Sequence, residues 1–330
     1  MKTLKIALGV LIILIISYFL GPTMPKPIFN KNLPAITGEV GRFTDSMEAS
    51  KMIRPGNEAK IIWYNDTLKN KTEYVLLYLH GFSASWHEGY PVNADFSKRY
   101  GCNVYLARLA SHGLITDDPL IDMTPGRLYE SARLALVIAR HLGDKVIIMG
   151  TSTGGTLGLM LAADFPELVS GLILYSPNIR IKQDASVLLS KPWGLQIARL
   201  NFGGDFRVTK DDPNGEICKY WYCRYRAEGT VYLQQLLDAK MNADLFRTVK
   251  CPVFLGYYYK DEEHQDQTVS VDAELKMFDQ LGTPDSLKQS KAFPNAQAHV
   301  IASDLTSKCA EEVEKATWSF SEKTLNLSAR

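Results

Sequence analysis

Short apolar runs alternating with helical patterns constrain this chain more than any other feature. Tyr74 to Leu79 is a continuous apolar run, as expected of a strand buried on both faces. Val104 to Leu109 is a second candidate strand, Val146 to Met149 a third, and Leu172 to Tyr175 a fourth. Between them lie helical stretches. Thr124-Pro125 supplies an N-cap followed by proline at the first helical position, and Leu128, Ala132, Ala135, Ala139 and Leu142 then form one apolar face that Gly143 is expected to close. Gly154 to Phe165 reads as the next helix. The rhythm lapses from about 180 to 249, in a stretch rich in Trp and Tyr with no obvious buried strand, expected to be a mainly helical insertion. It resumes with Val253 to Tyr259, a helix from Val271 to Leu281, a short strand ending near Phe293 and a last helix from about Ile301. Such alternation predicts an α/β fold, a mostly parallel sheet flanked by helices on both faces.

The amino terminus stands apart. From Ile6 to Leu20, 13 of 15 residues are apolar, and Lys2 and Lys5 precede them. A positive end before an apolar core is the pattern of a signal or membrane anchor. A helix of this run reaches about 22 Å, and one extended from Thr3 to Gly21 about 28 Å, against a hydrocarbon layer of about 30 Å. No Ala-x-Ala site follows, since the exit reads Phe19-Leu20-Gly21-Pro22. The expected division is therefore an anchor or signal segment at 1–21, a proline-bearing spacer and lead-in at 22–54, and one α/β domain at 55–330. The positive-inside rule puts that domain outside the cytoplasm, tethered, or secreted or periplasmic if the segment is cleaved. The five cysteines leave at least one thiol free, and Cys218 and Cys223 are the nearest pair. With Lys plus Arg at 37 and Asp plus Glu at 36, the net charge of +1 gives no reason to expect a nucleic-acid partner.

The chemistry concentrates in Gly150-Thr151-Ser152-Thr153-Gly154-Gly155, placed between a strand and a helix. There a serine sits on a tight turn with Oγ projecting above the sheet, and the flanking glycines permit close backbone approach. Acyl transfer at Ser152 needs N–H donors aimed at the oxyanion. His80-Gly81-Phe82, directly after the strand ending at Leu79, offers the backbone N–H of Phe82, and Thr153 offers a second. His80 itself reads as a loop-shaping residue. The general base is expected late in the chain, and His299 is the only titratable side chain in Pro294–Val300. The acid that orients it should follow the strand Val253–Tyr259. Asp261 lies nearest that strand end. Asp266 is preferred, because Val269 could pin its loop into the core, but both remain open. His112 reads as a loop residue and His141 as a helix-end cation. His87 lacks metal-ligand spacing, so neither a metal nor a cofactor is implied.

At Gly150–Gly154, His80-Gly81-Phe82, Asp266 and His299, over roughly residues 55 to 325, the sequence resembles the α/β-hydrolase superfamily. Within it the chain looks like the branch of monoacylglycerol lipases, lysophospholipases and serine aminopeptidase-type hydrolases. The resemblance implies Ser152 as nucleophile, His299 as base, Asp266 as its orienting acid, and the 180–249 stretch as a cap over an acyl pocket. It also implies a small-molecule ester substrate, lipid-derived esters included. An amidase or peptidase on the same residues is the alternative, and a catalytically silent binding protein of the same fold is a further one. The acid loop is longer than usual for that branch.

Overall fold

The computed structural model describes residues 2–330. Among the described residues nine strands form in chain order: β1 (Lys60–Ile62), β2 (Thr72–Leu79), β3 (Asn103–Leu106), β4 (Gly143–Thr151), β5 (Val169–Tyr175), β6 (Phe206–Val208), β7 (Arg224–Arg226), β8 (Val253–Tyr257) and β9 (Lys288–Ala292). Seven make one sheet in the order β1-β3-β2-β4-β5-β8-β9. All neighbours run parallel except β1, which is antiparallel to β3. The helices are α1 (Lys2–Phe19), α2 (Val40–Ala49), α3 (Val92–Tyr100), α4 (Pro125–Leu142), α5 (Thr153–Asp164), α6 (Gly194–Phe202), α7 (Glu216–Tyr220), α8 (Ala227–Lys240), α9 (Ala243–Thr248), α10 (Val271–Gln280) and α11 (Ala310–Lys323).

Both faces of the central strands are apolar because both are covered. On β2, Val75, Leu77 and Leu79 join one core with α4, α5 and α10. Leu76 and Tyr78 point the other way, into a second core with α3 and α11. The period-two alternation of a strand thus distributes one continuous apolar run between two layers. The stripe Leu128, Ala132, Ala135, Ala139 and Leu142 of α4 lies in the first core. Thr124 caps that helix by accepting from the Arg127 N–H.

The end of α4 differs from expectation. Gly143 does not turn the chain away in a left-handed cap; it is extended and begins β4 at once. The last helical carbonyl, of Leu142, accepts instead from Asn103 Nδ2 at 2.9 Å and Thr72 Oγ1 at 3.3 Å. The final helix also starts at Ala310 rather than near Ile301, because residues 300–309 fold as turns. Between β5 and β8 the chain forms α6 to α9 and a small antiparallel pair of β6 and β7, which the sequence did not suggest. Arg224 and Arg226 on β7 lie over the Phe206 ring of β6. In this inserted segment Ala198, Ala227 and Val231 form a minor core that receives Met24 from the N-terminal stretch.

That stretch lies along the body of the protein. Trp193 donates to Pro22 O and Ser17 O, Gln235 donates to Pro25 O, Phe29 packs edge-on to Tyr129, and Lys31 pairs with Asp164. Ahead of it, the described large apolar side chains of α1 are exposed, Leu4 and Phe19 among them. Its 18 residues extend about 27 Å. Among the described residues no helix is long and apolar enough to cross a membrane, so the expected spanning anchor is not met there.

The lead-in is held by one buried pair. Arg108 donates from Nε and Nη2 to the two oxygens of Glu48, each at 2.8 Å, and Glu48 also accepts from Ala59 N. The two side chains are only 5% and 8% exposed. Removing one partner leaves the other charge buried and unpaired, which is the costly way to break such a pair. Glu48→Ala is therefore expected to lower unfolding free energy by about 3–5 kcal/mol. Urea unfolding checks this, and a loss below about 1 kcal/mol would show the pair to be solvated like a surface one.

Candidate active site

Ser152 occupies the turn between β4 and α5 with φ 53° and ψ −119°, a positive φ that L side chains rarely adopt. The surroundings over-determine this backbone. Ser152 N donates to Tyr175 O at 2.9 Å, and Asn178 N donates to Ser152 O at 3.0 Å. The glycines on either side are required by close approach. A Cβ on Gly154 would stand 1.9 Å from Leu79 O, and one on Gly150 would stand 2.6 Å from Gly154 C. Ser152 itself is 5% exposed and lines a cavity of about 710 Å³.

Phe82 lines the same cavity. The backbone before it runs beside the serine, since a Cβ on Gly81 would come within 3.0 Å of Ser152 Cβ. Thr153 is the first residue of α5, where unpaired N–H groups gather at a helix start. His80 is fully buried and ties its loop together: Nδ1 bonds Gly81 O, and Nε2 accepts from Leu109 N. His112 does the same one loop away, through Ala110 O and Ser83 N. Burial pushes His112 down to about 4, so it stays neutral.

His299 lies in the turns after β9 and lines the cavity with Ser152. Its Nδ1 meets Asp266 Oδ2 at 2.6 Å, while the buried Nε2 has no hydrogen-bond partner among the described residues. The other oxygen of Asp266 accepts from Thr268 N at 2.7 Å and Val269 N at 3.1 Å. Val269 is fully buried and bridges to Ile181, which fixes the loop. Burial alone would raise Asp266, yet the His299 charge and these N–H donors outweigh it and hold the carboxyl below its usual range. Burial alone would lower His299, and Asp266 overrides that too, holding the imidazole above its ordinary value. Asp261 is elsewhere. It accepts from His264 N and His264 Nδ1 at the surface, with half its side chain exposed.

Two features escaped the sequence reading, and a third was foreshadowed only by cysteine spacing. Glu88, 2% exposed, lines the cavity beside Ser152. Glu274 on α10 is fully buried with both carboxyl oxygens unpartnered, and burial followed by the Asp266 charge raises it well above the usual range. Trp221 lines the cavity from a loop closed by the Cys218–Cys223 disulfide, whose Cα atoms are 5.5 Å apart. Glu88 and Glu274 carry no periodic or motif signal, and only Cys218/Cys223 was foreshadowed by spacing. Cys102, Cys251 and Cys309 are free. Among the described residues no group of His, Cys, Asp or Glu is arranged to hold a metal ion.

A profile of the alpha/beta hydrolase family matches residues 76–303. That span is more than half of the chain and includes the serine turn, the Phe82 loop and both His299 and Asp266. The chain therefore belongs to the alpha/beta hydrolase family. Among solved structures, it is similar to one described with the words LipS and LipT, two metagenome-derived lipolytic enzymes, at TM-score 0.63 and 18% identity over 82% of this chain and 98% of that one. It is also similar to the monoacylglycerol lipase of Paleococcus ferrophilus, at 0.56 and 17% over 80% and 98%. A thermophilic esterase from Thermogutta terrifontis follows at 0.53 and 16% over 81% and 93%. No curated protein matches it in sequence.

Proposed function

We propose that this chain is a serine hydrolase that cleaves carboxylic esters through an acyl-enzyme. The observation that carries the reading is that His299, hydrogen-bonded through Nδ1 to the buried Asp266, lines the same cavity as the strained Ser152 turn. His299 Nε2 takes the Ser152 proton as Oγ attacks the ester carbonyl, and Asp266 steadies the imidazolium that forms. The N–H groups of Phe82 and Thr153 receive the oxyanion. His299 then protonates the leaving alcohol, and in a second round activates the water that releases the acid.

The inserted segment shapes the substrate. Leu188, Leu189, Ile197, Phe202 and Leu233 line the cavity above Ser152, which suits an apolar acyl chain or an apolar alcohol. The lipolytic and esterase neighbours support an ester as the scissile group. A p-nitrophenyl ester series of increasing acyl length, set against matched anilides, tests this. Turnover should peak at a chain long enough to fill the apolar part of the cavity lined by Leu188, Leu189, Ile197, Phe202 and Leu233, with the anilides far slower. Equal cleavage of anilides would move the reading to an amidase.

The same proposal places the catalytic domain outside the cytoplasm, delivered by the N-terminal segment and either held at a membrane surface or released. Lys2, Lys5 and the exposed apolar α1 support delivery, and the Cys218–Cys223 disulfide suits an oxidising compartment. Mass spectrometry of the mature N-terminus distinguishes the two: a start beyond Gly21 means release.

A further inference from the structure

Glu88 sits in the 3₁₀ turn Trp86–Gly89, after the loop that carries Phe82. Its carboxyl reaches back to that loop, where Gly81 N donates to Oε2 at 2.5 Å. A Cβ on Gly81 would meet Glu88 Oε1 at 2.8 Å and Ser152 Cβ at 3.0 Å, so carboxyl and nucleophile flank one glycine. The groups facing Glu88 come from several elements: the Tyr78 hydroxyl from β2, the Trp221 indole from the inserted segment, and the His299 imidazole from the loop after β9. The Tyr78 hydroxyl also bonds Thr151 Oγ1, one residue before the serine. His87, on the same turn, faces away to Asp304 and stacks on Tyr220.

We propose that Glu88 is a positioning residue of the oxyanion loop that must keep its proton during turnover, so that its ionisation sets the alkaline limit of activity. The proposal rests on the serine-hydrolase reading above. In the neutral acid, Oε2 accepts from Gly81 N and holds the peptide that leads into Phe82. Once ionised, the carboxylate places a negative charge beside the position where the tetrahedral oxyanion develops. Like charges in a water-poor cleft repel strongly, and the rate should fall on the order of 10-fold or more. The same anion would also stabilise the His299 cation and strengthen it as a base, an opposing effect that the repulsion of the oxyanion outweighs. Burial pushes Glu88 up to about 8, against the opposing pull of Gly81 N and His299. At the acid limb Glu88 is neutral, so that limb belongs to His299 alone.

The test is kcat/KM against pH for wild type, Glu88→Gln and Glu88→Leu. Wild type should show a bell whose alkaline side falls near pH 8. Glu88→Gln still accepts from Gly81 N but cannot ionise; its plateau should be a few-fold lower, with the acid limb unmoved and no decline above pH 8. Glu88→Leu should lose kcat across the whole range with KM little changed, because the loop loses its clamp. An alkaline fall that persists in Glu88→Gln overturns the proposal. Should Glu88→Gln fail to fold, isotope-edited infrared on the wild-type protein decides: a protonated carboxyl band that difference spectra remove near pH 8 supports it, and one absent at pH 7 overturns it. That band is read without turnover. Absence of ester cleavage and of serine labelling at every pH would therefore sink the hydrolase reading separately.

Discussion

Ser152→Ala is expected to fold normally, to lose all reaction with a fluorophosphonate, and to hydrolyse p-nitrophenyl esters about 10⁶-fold more slowly. The size of the effect follows from the geometry. The Ser152 backbone is held at φ 53° by bonds to Tyr175 and from Asn178, which involve main-chain atoms that alanine retains. The fold and the cavity therefore survive while the attacking oxygen disappears. What remains is the N–H pair of Phe82 and Thr153 and the binding cavity, enough for a residual rate of about 10³–10⁴ over water. Loss of a whole nucleophile is not compensated by its neighbours, because the residues of such a site act as a unit. Labelling that persists in Ser152→Ala would move the nucleophile elsewhere and remove the basis of the proposed function.

What could be read in advance depended on how much the local chain was forced. The serine turn was legible because Gly154 and Gly150 are dictated by contacts under 3 Å, and a tight strand-turn-helix leaves no other residue type there. The parallel sheet was legible because strands such as β2 are buried on both faces and so lose all polar positions in their centre. Edge strand β9 was only half legible: its sequence Lys-Gln-Ser-Lys-Ala is largely exposed and carries no apolar pattern. The pair β6 and β7 was invisible for a similar reason, with arginines supplying the cross-strand packing over Phe206. Gly143 misled because a glycine after a helical stripe usually marks a left-handed cap. Here the terminal carbonyl finds side-chain donors from Thr72 and Asn103, which are distant in sequence. Glu88 was missed on the same principle: nothing local distinguishes it, and Gly81, Tyr78 and His299 meet it only in space.

The acid loop is where spacing left two candidates, and Asp266→Asn against Asp261→Asn should separate them by orders of magnitude. Asp266→Asn is expected to lower kcat about 10⁴-fold. An asparagine in its place can keep the Thr268 and Val269 N–H bonds only by turning its amide oxygen toward them. Its NH₂ then faces His299 Nδ1 and favours the tautomer with the proton on Nε2, which cannot accept the serine proton. The imidazole also loses the charge that holds it above its ordinary value. The acid limb of kcat/KM, set in wild type by a His299 raised above 6.5, should therefore move to lower pH in the variant. The sign is fixed by the cause: burial lowers His299, and Asp266 is what reverses that. Asp261→Asn removes only an exposed bond to His264, and its turnover should stay within about 2-fold of wild type, in line with the small worth of surface pairs. The reverse outcome, with Asp261→Asn inactive and Asp266→Asn unimpaired, would mean that the Asp266–His299 contact is structural and that the loop rearranges when substrate binds.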